Sequence, residues 1–129
     1  MVRKQSKRPT AAELEILGVL WELGASTVRQ VHSRLAHGRE LGYTTVLKLI
    51  QIMTEKGLVR RDEKQRAHIC EAARPREWTQ RQLAGDLLQR AFNGSTKNLM
   101  LGALSARKTS KAELAEMRRL LDEYEKGKR

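Results

Sequence analysis

The sequence has little of what several common protein classes require. It contains one cysteine, two prolines and few aromatic residues: two tryptophans, two tyrosines and one phenylalanine. A single cysteine excludes a disulfide framework and a four-cysteine zinc site. The longest apolar runs, residues 16–21 and 99–104, have six residues each, which is far too short to span a membrane. These features predict a cytoplasmic protein that has no membrane segment and does not stack single-stranded bases.

Basic residues are abundant. The 129 residues include 26 Lys and Arg against 15 Asp and Glu, a formal net charge of +11. Such an excess makes nucleic acid the first candidate partner. No Ser or Cys has a recognisable base partner, so the chain is predicted not to be an enzyme and to carry no cofactor. His68 and Cys70 are too few to predict a metal site, and Cys70 is interpreted as a small packed side chain.

The pattern of residues 9–74 predicts a winged helix, preceded by a flexible basic arm over residues 1–8. The capping boxes Thr10-x-x-Glu13 and Thr27-x-x-Gln30 open the first two helices. Gly42 opens a third helix, and Gly57 ends it. After Gly57 the residue pattern changes from helical spacing to that of two strands, over residues 58–61 and 66–71, joined by a turn at 62–65. Three helices followed by a hairpin is the order of elements in a winged helix.

Residues 75–129 predict a helical dimerisation domain. Three helical segments follow Pro75, and the last opens at the capping box Ser110-x-x-Glu113. Their apolar stripes are too narrow to close a core, and a second copy of the chain would cover them. The alternative is that they fold back onto the winged helix. The predicted dimerisation residues are Leu87, Leu88, Leu99, Leu104, Leu114, Met117, Leu121 and Tyr124. The fold class is therefore mainly α: an N-terminal winged helix followed by a C-terminal helical region.

The third helix is the candidate recognition helix, because a major groove admits one helix of this kind. With Val46, Ile50 and Met53 facing inward, several polar side chains face outward. The residues predicted to contact double-stranded DNA are Thr44, Thr45, Lys48 and Gln51, together with the apolar Leu47. Two alternatives stay open here: the threonines could cap the helix, and Leu47 could lie at the rim of the core rather than against a thymine methyl group.

The predicted wing is basic. Arg60, Arg61, Lys64 and Arg66 are placed where a wing would meet the phosphate backbone, and we predict that they contact it. The alternative is that this run of charge is only a solvated face.

The order and spacing of these residues are those of a known family. Three segments resemble the penicillinase and methicillin-resistance repressors, the BlaI/MecI/CopY family. They are the segment from Tyr43-Thr44-Thr45-Val46 to Lys56-Gly57-Leu58-Val59, the pattern over residues 13–21, and Ser110-x-x-Glu113-Leu114. The resemblance implies a homodimeric bacterial repressor on a palindromic operator. It also implies inactivation by a sensor protease at an Asn-Phe bond. That bond aligns with Gly102-Ala103, which does not match, so the protease is only a candidate partner.

Three functions compete at this point. The first is a sequence-specific DNA-binding repressor, the second a non-sequence-specific nucleic-acid binder, and the third a winged-helix adaptor that binds protein. The outward face of the third helix mixes donors, acceptors and methyl groups, as base reading requires. This mixture favours the repressor.

Overall fold

A computed structural model of the chain describes residues 8–35, 41–62, 64 and 68–127. In chain order these residues form α1 (Ala11–Leu23), β1 (Ser26–Thr27), α2 (Val28–Leu35), α3 (Tyr43–Lys56), β2 (Val59–Asp62), β3 (Ile69–Ala72), α4 (Arg76–Ala91), α5 (Thr96–Ala106) and α6 (Lys111–Glu125). They divide into two compact units, one ending at Leu83 and the other beginning at Ala84. The predicted fold class is confirmed: a winged helix comes first and a helical region follows. No helix in the described part of the chain has both the length and the apolar character to cross a membrane.

Side-chain caps fix the starts of the first two helices. The Thr10 backbone N–H donates to Oε1 of Glu13 over 2.9 Å, and the Glu13 N–H donates to Oγ1 of Thr10 over 3.2 Å. Thr27 and Gln30 make the same reciprocal pair at 2.8 and 3.1 Å. Gly57 ends α3 with φ of 82° and ψ of 14°, a left-handed conformation that favours glycine. Both N-terminal capping boxes and the stop at Gly57 are thus confirmed.

The sheet contains one strand more than the sequence predicts. Its three strands run in the order β1-β3-β2, and both pairings are antiparallel. The prediction of two strands missed β1, which has only two residues and is too short to show alternation. In the sheet Thr27 lies opposite Ile69, and Arg61 lies opposite Cys70. The start of α2, which follows Thr27 directly, is therefore held beside the wing.

The core of the first unit lies between α1, α2, α3 and the sheet. Its apolar members are Ile16, Leu17, Val19, Leu20, Val28, Val31, Val46, Ile50, Met53, Val59 and Cys70. The predicted inner face of α3 is confirmed, because Val46, Ile50 and Met53 are each 0% exposed. Burying a side chain of this size stabilises the fold by about 1.5–3 kcal/mol. The opposite face of α3 is therefore presented on a rigid support.

The chain after β3 is attached to α1. The Trp21 indole N–H donates to the Arg74 carbonyl over 2.9 Å, and the Arg76 guanidinium lies 5.7 Å from the Trp21 ring centroid. Arg74 in turn lies 4.7 Å from the Trp78 ring centroid. Thr79, one turn into α4, is buried. The start of α4 thus belongs to the compact unit that holds the winged helix.

The second unit contains the end of α4 together with α5 and α6. Asn93 and Gly94 separate α4 from α5, and both have left-handed backbones with φ of 51° and 79°. Ser95 and Ser110 cap the next two helices, accepting from the N–H groups of Asn98 and Glu113. Among the described residues from Ala84 onward, none is buried within the single chain. Its apolar stripes therefore form but remain uncovered.

Candidate nucleic-acid interface

The outward face of α3 is polar and exposed. Thr44, Thr45, Lys48 and Gln51 are all exposed, on the side opposite the buried face. The N-cap of α3 is Gly42, which makes no side-chain cap hydrogen bond. The capping interpretation of the threonines is therefore wrong: both lie inside the first turn. Their side chains are exposed on the first turn of α3, so contact with DNA stays a prediction for both.

Leu47 lies at the edge of this face. It is half-buried and packs against the core, so the core-rim alternative is confirmed. Its remaining surface lines a cavity beside α3. A leucine at this position therefore both completes the core and supplies apolar surface next to the polar face.

The wing cations do not share one environment. Arg60 and Arg61 are neighbours on β2, so their side chains leave opposite faces of the sheet. Arg60 pairs with Glu71 across the strands at 3.3 Å, with both side chains at least half exposed, and such pairs contribute about 0–1 kcal/mol. Lys64 is exposed in the turn, where its backbone N–H donates to Asp62 over 3.0 Å. Arg66 lies outside the described residues.

Arg61 faces a cavity that lies between the wing and the helices α2 and α3. The cavity has a volume of about 470 Å³. Its lining residues come from α2, α3, the strands β1 and β2 and the residue before β3: Thr27, Val28, Arg29, Tyr43, Leu47, Arg61 and His68. The Arg61 Nη2 group donates to Nδ1 of His68 over 2.9 Å. The Arg29 guanidinium lies 5.5 Å from the Tyr43 ring centroid. Two guanidinium groups thus line one concave surface beside α3.

The ring of Tyr43 packs against the ring of His32. The two rings meet edge to face with their centroids 5.8 Å apart, and Nε2 of His32 donates to the Leu41 carbonyl over 2.8 Å. Arg29, Tyr43 and His68 were not predicted to contact DNA. Their proximity depends on the pairing of β1 with β3, which no local pattern in the sequence reveals.

Cys70 is a structural residue, as predicted. It is 1% exposed, and its thiol donates to the Ser26 carbonyl over 3.2 Å, which ties β3 to β1. Burial raises the pKa of the Cys70 thiol, and the nearby positive charge of Arg61 offsets part of that rise. The neutral thiol is therefore the form that the fold holds.

The predicted dimerisation residues all lie in the second unit. Leu88, Leu99, Leu114 and Met117 are half-buried there, and Leu87, Leu104, Leu121 and Tyr124 are exposed. Leu101 and Leu120 add two further exposed apolar side chains, at 53% and 58%. Gly102 permits a close approach of α5 to Phe92, since a Cβ atom at Gly102 would lie 3.4 Å from the phenyl ring.

Comparison with known proteins gives matches over most of the chain. A family model described as penicillinase repressor matches residues 9–123. Two proteins of Mycobacterium tuberculosis, from strains CDC 1551 / Oshkosh and ATCC 25618 / H37Rv, are each named transcriptional regulator BlaI. Each is 32% identical to this chain over 116 residues, which is 89% of this chain and 83% of the relative.

Proposed function

Because the chain belongs to the penicillinase repressor family, we propose that it represses transcription as a homodimer bound to a palindromic operator. Membership of the family makes it a DNA-binding transcriptional repressor. The dimer, the operator symmetry and the roles of single residues are the parts that we propose. Since its target is DNA, we expect it to act in the bacterial cytoplasm.

The observation that carries the proposal is the two-faced character of α3. One face is 0% exposed at Val46, Ile50 and Met53, so the helix cannot rotate without opening the core. The other face presents Lys48 and Gln51 to solvent. Lysine pairs with the O6 and N7 acceptors of guanine, and glutamine with adenine, in the major groove. A rigid helix with this exposed face is suited to reading base edges.

The homodimer follows from what the second unit leaves uncovered. Leu121 is 50% exposed and Tyr124 72% exposed on one face of α6. Isolated helices shorter than about 12–15 residues are marginal in water, and most helices in proteins are stabilised by packing of an apolar face. A second copy of the chain offers the same stripe, which is how symmetric dimers usually form. We propose that residues 75–129 provide this contact and that residues 9–74 bind DNA.

Dimerisation also supplies a switch. One winged helix offers only a few cations to the phosphate backbone, which supports weak and salt-sensitive binding. Two linked copies bind two half-sites, and the second contact then benefits from a high effective concentration. An event that separates the second units, whether proteolysis, a ligand or a partner, would release the operator. A sensor protease is one candidate for that event.

The test compares two aspartates placed on α6. Leu121→Asp puts a charge into the proposed contact, and Ala112→Asp puts the same charge on the opposite side of the same helix, nine residues away. We expect wild type and the Ala112 variant to be dimeric by light scattering and the Leu121 variant to be monomeric. The monomer should bind a selected palindromic duplex at least about tenfold more weakly, while binding to a single half-site changes little.

Two outcomes would contradict the proposal. A wild-type monomer at the concentration that saturates DNA would remove the homodimer. Equal affinity for the selected duplex and for random duplex, with the same dependence on salt, would instead indicate a non-sequence-specific nucleic-acid binder.

A further inference from the structure

We propose that the cavity between α2, α3 and the sheet binds one backbone phosphate of the operator, with Arg29 and Arg61 supplying the charge. The proposal rests on the proposed function, since it assigns a phosphate-binding site to the same DNA complex. It adds Arg29, Tyr43 and His68 to the interface.

The chemistry of the lining selects an anion. Arg29 and Arg61 each carry a permanent positive charge, and the described lining residues include no carboxylate. Asp62 and Glu71, the acidic residues of β2 and β3, line a second depression together with Arg60, and Arg61 lies at the border of both. Guanidinium groups present forked donors that match phosphate oxygens. The cavity therefore has the charge and the donors that a phosphate needs.

His68 positions the Arg61 guanidinium group but does not use all of its hydrogen-bond donors. A guanidinium can only donate hydrogen bonds, so Nδ1 of His68 must be the acceptor in their 2.9 Å contact and carries no proton. Nε of Arg61 is buried and has no hydrogen-bond partner within the described part of the protein. Buried donors in native proteins are nearly always paired. The incomplete pairing indicates that the guanidinium group is arranged for a ligand.

Arg29 is positioned by Tyr43. Its guanidinium lies 5.5 Å from the ring centroid, within the range of a cation–π contact, and the ring is itself braced by His32. Arg29 remains exposed, so its charge is available to a ligand that approaches from solvent. The pairing of Thr27 with Ile69 brings this residue, from the first turn of α2, to the same cavity as Arg61.

The position of the cavity indicates that the phosphate belongs to the duplex. Leu47 lines the cavity and is the immediate neighbour of Lys48 on the exposed face of α3. A duplex whose bases meet Lys48 would therefore carry its backbone past the cavity. Half of the interface hydrogen bonds or more in protein–DNA complexes go to phosphates and sugars, and they set the register of the protein. We infer that this site sets how deeply α3 enters the groove.

The experiment measures binding of the full chain to a selected palindromic duplex as a function of salt. Each phosphate contact contributes about 0.9 to the slope of log affinity against log salt, so Arg29→Ala should lower the slope by about 1.8 for a dimer on a palindrome. Arg29→Lys, which keeps the charge, should retain most of the slope. The control is Arg34→Ala, on the same helix, where the arginine pairs with Glu22 instead.

A second measurement locates the phosphate. Ethylation of single phosphates should reveal one position in each half-site that weakens wild-type binding and no longer matters to the Arg29→Ala variant. His68→Leu should weaken binding through Arg61, and His68→Asn, which keeps an acceptor near the Nδ1 position, should restore part of the loss. A merely structural role for His68 would show no such rescue and no change in the salt slope.

The outcomes separate this proposal from the function on which it rests. If wild type selects a palindrome, and the Arg29 and Arg34 variants have equal salt slopes and equal ethylation patterns, the phosphate site is refuted and the repressor stands. If wild type shows no sequence preference but Arg29→Ala still lowers the slope, the site stands and the specific operator is refuted.

Discussion

The buried ion pair between Glu13 and Lys56 gives the sharpest prediction for the stability of the DNA-binding unit. Nζ of Lys56 lies 2.9 Å from Oε1 of Glu13, and the two side chains are only 8% and 2% exposed. The same carboxylate oxygen accepts the Thr10 N–H, and Nζ also donates to the Arg8 carbonyl over 3.3 Å. One contact therefore ties the first turn of α1 to the last turn of α3.

Removing one partner should cost far more than removing both. Lys56→Met leaves the Glu13 carboxylate 2% exposed, with the Thr10 N–H as its remaining donor among the described residues. Breaking a buried pair in this way costs about 3–5 kcal/mol. Native domains are stable by about 5–15 kcal/mol, so the loss is a large fraction of the total. Adding Glu13→Gln removes the stranded charge and keeps a side-chain oxygen for the capping box, so the double variant should regain much of that cost.

The assay is urea unfolding followed by tryptophan fluorescence, because both tryptophans, Trp21 and Trp78, belong to the first unit. The control is Arg34→Met, which breaks an exposed ion pair between α1 and α2 and should cost about 0–1 kcal/mol. The reasoning is refuted if Lys56→Met costs no more than this control. It is equally refuted if the double variant loses as much stability as the two single variants added together.

Three further predictions concern single side chains. In a duplex-library titration, Lys48→Ala should weaken binding to the selected duplex by about 1–3 kcal/mol and relax the preference at one base position. Glu55 lies on the same face but in the last turns of α3, so Glu55→Gln should change neither the affinity nor the base preference. Because burial raises the Cys70 pKa, wild type should lose unfolding free energy as pH rises above the ordinary thiol pKa, where the unfolded state releases the proton more readily. Cys70→Ala should lack this loss, and parallel curves for the two proteins would contradict the argument. Trp21→Phe, which leaves the Arg74 carbonyl without its donor, should cost about 0.5–1.5 kcal/mol in thermal unfolding.

The helices and their ends could be predicted from the sequence because the signals that produce them are local. A cap such as Thr10 acts on a residue three positions away, and the face formed by Val46, Ile50 and Met53 repeats within two turns. The same periodicity separated the exposed Lys48 from the buried positions. Much of the candidate recognition face is therefore encoded in a short segment.

The cavity and the third strand could not be predicted because they depend on distant pairings. Thr27 meets Ile69 only when the chain closes the sheet, and neither residue lies in a pattern that names the other. Arg29 was therefore not among the residues predicted to contact DNA. The separation of Arg60 from Arg61 was available from strand alternation, but the sequence does not show which of the two turns toward the helices.

The two units differ in how they are stabilised, and this difference bears on regulation. The first unit has its own apolar core, whereas the described residues of the second unit bury no side chain within one chain. Such a unit gains little hydrophobic stabilisation alone. Folding of the second unit and its proposed pairing with a second copy are therefore coupled in one equilibrium, which depends on protein concentration. A signal that opens the pairing would then both disorder the second unit and abolish bivalent binding, while the recognition helix stays folded. If the second units pair as proposed, control of the operator does not require any signal to reach α3.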